Sequence, residues 1–445
     1  MTKLLAWLKE RRQNCSMAFR PIELAKSNEW RLDAGRLVHK TGGFFSVGGI
    51  TAEAKDASFG KVSQPIIFQP EIGILGFVIR ETMDGSAAYE WLVQAKAEPG
   101  NQDHVQLAPS VQATYSNYTR LHGGAKTHYL SYFTGAREAE TLSDSLQSEQ
   151  GTRFAGKFNR NIVQCVEERL EYRSDMFCWT SSHELKQALL ADYAVNTDAR
   201  SVIATAPWSL LAAQGVPFAD EDAPTPFRAL CCTSYSADVG AGFIQKATKL
   251  LDEARARFGL KAQPCALEAL PDWTCWAEGI NSGAPDVEFS VQYYAVEAPE
   301  REAPAWDQPL LQSQAIGEIL LVAQVHGGAL RVLLNFSYEV GLTGGVEFGP
   351  SYQSGNRSAA MASMKAFLDA NIIAPQLTIL QSDEGGRFMK CRSRYSVVLL
   401  DEGDETPDTK QGLWVTLAEL EQLCCTPKLL TNEARSCVSL LLGLA

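Results

Sequence analysis

The residues of this chain are written twice over. DSLQSEQGTRF at 144–154 returns as TILQSDEGGRF at 378–388, and FCWTSSHELKQALLADYAVNTDARS at 177–201 returns as GLWVTLAELEQLCCTPKLLTNEARS at 412–436. Trp179 thereby matches Trp414, and Arg200 matches Arg435. Upstream, VQAKAEPGNQDHVQLAPSVQAT at 93–114 faces LNFSYEVGLTGGVEFGPSYQSG at 334–355; Gln64-Pro65 faces Gln308-Pro309, and Glu29-Trp30 faces Asp272-Trp273. The separation drifts only between 234 and 244 residues, so the match stays in order along the chain. Self-similarity of this kind marks a duplicated structural unit. The expected organisation is a first unit over 15–235, a linking helical region over 236–262 and a second unit over 263–445.

Within a unit, FFSVGGITAEA, IGILGFVIR, YEWLVQAKAE and FSVQYYAVEA are β-branched or aromatic runs broken by turn residues, which reads as strands in hairpin-like succession. Helical spacing appears in GFIQKATKLLDEARARFG and after each matched Trp, where Thr180 or Ser181 and Thr416 stand three or four residues before Glu184 and Glu419 as caps. MTKLLAWLKERR reads as a short surface helix. The pattern predicts an α+β fold with an antiparallel or mixed sheet and helices at its side. No G-x-G-x-x-G joins a strand to a helix and no P-loop is present, which disfavours NAD and ATP. A net charge of −12 without a basic run argues against a nucleic-acid partner. No apolar run nears the roughly 20 residues that span a bilayer. The 11 cysteines have no metal or redox spacing, and Cys231-Cys232 and Cys424-Cys425 are adjacent, so reduced thiols in a cytoplasmic protein are expected.

Two copies on one scaffold allow a comparison within the chain. Shared residues such as Trp179/Trp414, Glu98/Glu339, Gln112/Gln353, Arg153/Arg387 and Arg200/Arg435 tend to report fold. Elsewhere the second copy has lost polar groups: Lys96 faces Ser337, Asn101 faces Leu342, Thr114 faces Gly355, and His39 falls opposite Ser282 or Gly283. The simplest account puts an active site in the first unit and a structural role in the second.

QPEIGILGFVIR (69–80), LVQAKAEPGNQDHVQLAPSVQATYSNYTRLHGG (92–124), GKFNRNIVQ (156–164), VNTDARSVIATAPW (195–208), HKTGGFFSVGG (39–49) and WDQPLL (306–311) resemble the NDP-hexose 2,3-dehydratases of deoxysugar biosynthesis. The resemblance runs nearly end to end. It implies a tandem repeat of two Nudix-like mixed-sheet domains flanked by helices, often assembled as a homodimer. It also implies removal of water across C2 and C3 of a dTDP-4-keto-6-deoxyhexose, giving a 3,4-diketo-2,6-dideoxy sugar with no metal or organic cofactor. The second copy departs from the family pattern, reading NFSYEVG and FGPSYQS where the family keeps polar segments.

That chemistry needs a base for the C3 proton, donors for an enolate oxygen and an acid for the departing C2 hydroxyl. Strand alternation sets Gln94, Lys96 and Glu98 on one face, where Lys96 and Glu98 either form an ordinary ion pair or serve as enolate stabiliser and base. Gln106, Gln112 and Thr114 alternate on the next strand and would meet sugar hydroxyls or the base edge; the plain alternative is a polar strand face. His122 before Gly123-Gly124 titrates near neutrality and is an acid–base candidate or an idle loop histidine, and His39 is another. Tyr118 and Arg120 would stack on the base and hold phosphate. Arg153, Arg160 and Arg200 are guanidinium candidates for the diphosphate, with Asn159 beside them, although recurrence of Arg153 and Arg200 also fits a structural role. A Nudix-type hydrolase would need Gly-x5-Glu-x7-Arg-Glu, which is missing. A non-catalytic sugar-nucleotide-binding protein remains the alternative reading.

Overall fold

The computed structural model describes the 445-residue chain apart from residues 58, 84–87, 119–125, 213–216, 219–224, 276, 285–286, 288, 300–302, 314, 372, 406–410 and 445. The fold is α+β, with several mixed or antiparallel sheets and helices packed beside them.

The duplication in sequence is met by a duplication in strand order. One seven-stranded sheet runs Glu140–Ser148, Phe158–Cys165, Gly73–Glu81, Tyr89–Ala97, Phe177–Ser181, with Val105–Ala108 on Tyr89–Ala97 and Val111–Ala113 on Gly73–Glu81. The other runs Pro375–Ser382, Arg392–Leu400, Ile316–His326, Ala329–Tyr338, Gly412–Val415, with Val346–Gly349 on Ala329–Tyr338 and Tyr352–Gln353 on Ile316–His326. In both, the third strand pairs in parallel with the second and antiparallel with the fourth. Ser181 caps the helix Ser182–Leu189 by accepting from Glu184 N–H, and Thr416 and Glu419 form a capping box on Leu417–Cys425. The N-terminal helix Lys3–Gln13 buries Leu4 and Leu8, four residues apart on one face.

The halves also exchange strands. Ala18–Pro21, near the start of the first unit, pairs with Phe289–Glu297 of the second, setting Ala18 opposite Glu297. Lys261–Cys265, at the junction of the linking region with the second unit, pairs with Ser46–Glu53 of the first, setting Lys261 opposite Glu53. Each smaller sheet therefore carries a strand that leads into the other half. The helices Thr197–Thr205 and Asn432–Leu444 meet between the halves. Arg200 donates to the carbonyls of Val195 (2.6 Å) and Ser382 (3.1 Å), to Gln381 Oε1 (3.1 Å) and to Ser436 Oγ (3.3 Å). Arg435 answers with Leu430 and Ser148 carbonyls and with Ser201 Oγ at 2.8 Å. Both guanidiniums are fully enclosed. Replacing Arg200 by Met would strand those acceptors away from water, each costing about 1–3 kcal/mol. Thermal melting of Arg200→Met should fall well below that of the parent chain.

Two turns lock this arrangement with matching backbone bonds. Gly100 N–H donates to Gly385 O (2.9 Å) and Gly100 O accepts from Lys390 N–H (2.9 Å). The counterpart Gly341 N–H donates to Gly151 O (2.7 Å) and its carbonyl accepts from Gly156 N–H (2.7 Å). The turn that ends each Lys96- or Ser337-bearing strand is thus seated on the other half, which decides what reaches the functional site.

Candidate active site

A cavity of about 490 Å³ lies where the Glu98–Gly100 turn meets residues 384–387. From the first half it is lined by His39, Lys96, Glu98, Gln112, Thr114, Glu149, Lys157, Asn159 and Asp198, among others. From the second come Trp306, Asp307, Gln308, Glu384, Gly386 and Arg387.

Lys96 lies at the end of Tyr89–Ala97, opposite Gln106, and its side chain crosses to donate to Gln112 O at 2.8 Å. Its ammonium is 4.0 Å from Glu98 Oε1. That oxygen accepts from Gln112 Nε2 at 3.0 Å, and Glu98 Oε2 accepts from Asn101 Nδ2 at 3.4 Å. Gln112 is held in turn by Asn196 Nδ2 at 2.9 Å, and Asn196 caps the helix Thr197–Thr205 through Ala199 N–H. The helix start therefore fixes the amide that fixes the carboxylate. Both Glu98 oxygens thus accept hydrogen bonds from side-chain amides.

Around this pair stand buried acids. Burial pushes Glu149 up to about 7 against the pull of Arg435, while Asn159 Nδ2 donates to its Oε1 at 2.7 Å. Burial lifts Asp198 well above the ordinary carboxyl range, with Glu149 and Glu98 adding to the effect. Burial lifts Glu384 to about 8 against Arg387. The same burial lowers Lys157 to about 8, although Glu149 opposes it. Arg387 lays its guanidinium over the Phe45 ring, 4.3 Å from the centroid. Three buried polar atoms at this cavity, Gln69 Nε2, Glu384 Oε2 and Arg387 Nε, have no hydrogen-bond partner among the described residues. Such groups cost free energy unless something fills their valence.

His39 sits at one side, with Nε2 3.0 Å from Glu29 Oε2 and Nδ1 2.8 Å from Thr41 Oγ1. Glu29 is a carboxylate held below its usual range by Lys40 and His39 against the effect of burial, so Nε2 carries the hydrogen. Burial lowers the imidazole itself. Asp307 accepts from Asn28 N–H at 3.0 Å and its carbonyl accepts from Trp30 Nε1 at 2.8 Å, tying the second half's edge to this wall.

Of the residues expected from sequence, Lys96, Glu98, His39, Gln112, Thr114 and Asn159 converge on the cavity. Six do not line it. Gln94 lies further back along its strand, opposite Phe177. Gln106 is fully buried and donates to Ser382 Oγ at 2.7 Å. Tyr118 packs edge-on against Tyr115, and Arg160 binds Asp144 with two bonds of 2.7 and 2.6 Å. Arg200 spends its donors between the halves, as above. Arg153 covers the Phe289 ring at 3.9 Å. His122 and Arg120 fall outside the described residues.

Arg153, expected from sequence to hold the diphosphate, does not line the cavity. Its counterpart Arg387 lines the cavity, because each such loop is seated against the opposite half. Arg387→Lys is expected to lose the planar stack on Phe45 and the open Nε donor, lowering kcat/KM about 10- to 100-fold. Arg153→Lys should instead leave the kinetics near those of the parent and lower the melting temperature. Steady-state kinetics and melting of the two variants side by side check this. Sequence reasoning also passed over Glu149, Lys157, Asp198 and Glu384. A signal existed, since SEQGTRF and SDEGGRF both carry a carboxylate beside the recurring Gly and Arg.

A cavity that gathers hydrogen-bonded carboxylate, buried acids, ammonium groups and guanidinium is equipped to move protons on an anionic, polyhydroxylated ligand. Comparison with known proteins narrows that class. The family model described as NDP-hexose 2,3-dehydratase matches residues 1–206 and 244–441. A Saccharopolyspora spinosa protein named dTDP-4-dehydro-6-deoxy-alpha-D-glucopyranose 2,3-dehydratase is 33% identical, covering 98% of this chain and 90% of its own length. Proteins of the same name from Amycolatopsis orientalis (32% identical, 97% and 88% covered) and Streptomyces violaceoruber (31%, 97% and 94%) are similar throughout as well. The chain belongs to the NDP-hexose 2,3-dehydratase family.

Proposed function

We propose that this chain removes water across C2 and C3 of dTDP-4-dehydro-6-deoxyglucose, acting as a carbon–oxygen lyase. The observation that carries the reading is the Lys96–Glu98 pair, 4.0 Å apart at the cavity and braced by Gln112. It gains weight from full-length relatives that bear the corresponding name.

The C4 ketone acidifies the C3 hydrogen. Glu98 accepts that proton, and the electron pair moves into the C4 oxygen as an enolate. Lys96 or Arg387 meets the developing negative charge. Collapse of the enolate expels the C2 oxygen, which leaves as water once a buried acid has protonated it. The resulting enol takes a proton at C2 and becomes the 3,4-diketo-2,6-dideoxy sugar, still joined to dTDP. Each well-placed proton-transfer group supplies about 10²–10⁴-fold. His39, Gln112, Thr114 and Asn159 hold the hexose in this reading. Each half of the chain is read as Nudix-like, on the family resemblance, and the assembly as a homodimer.

The test is incubation with dTDP-4-dehydro-6-deoxyglucose and a ketoreductase that traps the product, followed by mass spectrometry. The expected species is one water lighter than the substrate before reduction. A protein that only binds sugar nucleotides would retain dTDP and leave the hexose intact.

A further inference from the structure

The proposed elimination needs a specific acid for the C2 hydroxyl, and several carboxyls line the cavity. Glu149 is occupied, its two oxygens accepting from Asn159 at 2.7 Å and Asn432 at 3.4 Å. Asp198 is sunk in the first turn of its helix at 4% exposure. Glu384 differs. Its Oε2 is buried without a hydrogen-bond partner among the described residues, and it is delivered by the second half on a turn bonded to Gly100. The point where a Gly386 Cβ would stand is 2.6 Å from Glu384 Oε1 and 3.7 Å from Glu98 Oε1. The two carboxyls therefore flank one small space, which Gly386 leaves open. The internal repeat supplies an independent argument. The counterpart of Glu384 is Gln150, which serves the half where Lys96 has become Ser337. The carboxyl is present where the lysine is present, and an amide stands where it is gone.

We infer that Glu384, contributed by the second half, is the proton donor to the departing C2 hydroxyl. The inference rests on the dehydratase reading above and adds a residue and a direction to it. Glu98 takes the C3 proton from one side of the space. Glu384 gives its proton to the C2 oxygen from the other, the C2–O bond breaks, and water leaves with Glu384 as carboxylate. A proton from solvent restores it, and Glu98 releases the C3 proton to solvent in turn. Arg387, Asp198, Glu98, Lys96 and Glu149 are charged groups that act on Glu384. An acid works only while protonated, and burial holds Glu384 near 8, so turnover should fall as pH rises through that region.

Glu384→Gln tests the assignment in the full chain, with two readouts on dTDP-4-dehydro-6-deoxyglucose. One is dehydration across pH; the other is exchange of the C3 hydrogen in deuterated water. Dehydration should drop about 10²–10⁴-fold while C3 exchange, dTDP affinity and melting temperature hold. Glu384→Asp, which keeps a titrating acid one methylene further back, should keep C3 exchange, lose dehydration only in part and retain the alkaline limb if the glutamine variant folds poorly. In Glu384→Gln, retained dehydration with an unchanged alkaline limb would overturn the inference, as would joint loss of dehydration and exchange in either variant. Parent protein that fails to dehydrate the sugar counts against the dehydratase reading itself, so the two failures are told apart.

Discussion

Glu98→Gln is expected to fold, to bind dTDP and to turn over about 10²–10⁴-fold more slowly than the parent. The amide keeps the shape of the carboxyl but cannot accept the C3 proton. Its NH2 group would also face the Gln112 amide, which donates to Glu98 Oε1 at 3.0 Å, so one local bond must rearrange. That costs a fraction of the stability, because Asn196 still anchors Gln112. Exchange of the C3 hydrogen with solvent deuterium should vanish along with dehydration, unlike the result expected for Glu384→Gln. Steady-state rates and the exchange experiment on one preparation check both statements.

The second large effect is structural. Gly100→Ala should destabilise the chain by at least the roughly 1–3 kcal/mol typical of overpacking. A Cβ on Gly100 would sit 1.7 Å from Phe388 O and 2.7 Å from Gly385 O, both backbone atoms that no rotamer change can move. The turn must back away from the second half, which separates Glu98 from Glu384. Activity is therefore expected to fall with stability. Gly341→Ala poses the matching clash, with Phe154 O at 1.7 Å, yet its turn carries Glu339 beside Ser337. It should lower melting to a similar degree and spare turnover at temperatures where the fold holds. Thermal melts paired with rates measured well below the transition separate these two cases.

Features that depend on neighbours in sequence were legible beforehand. The duplication, the strand runs, the caps at Ser181 and Thr416 and the α+β class all follow from local periodicity and spacing. Alternation carried Lys96 to the cavity because the strand's side-chain period is fixed by the backbone. Alternation gives a face but not a height along it, which is why Gln94, on the same strand, ends opposite Phe177. What a single pass along the chain misses is the crossing between halves. Nothing in Ala18–Pro21 or Lys261–Cys265 reveals that each pairs with the other half, since strand pairing depends on partners some 200 or more residues away. The same crossing moves Glu384 and Arg387 into the cavity. Recurrence of Arg153 and Arg387 suggested scaffold for both, yet of the two only Arg387 lines the cavity.

In the proposed mechanism one hexose is gripped by both halves at once. The most direct measurement is a crystal structure with a dTDP-hexose whose C4 carbonyl has been reduced to a hydroxyl, so that it binds without reacting. Sugar carbons C2 and C3 are expected between Glu98 and Glu384, with Arg387 in contact with the ligand. A hexose lying against the first half alone, beyond reach of Glu384 and Arg387, would contradict it.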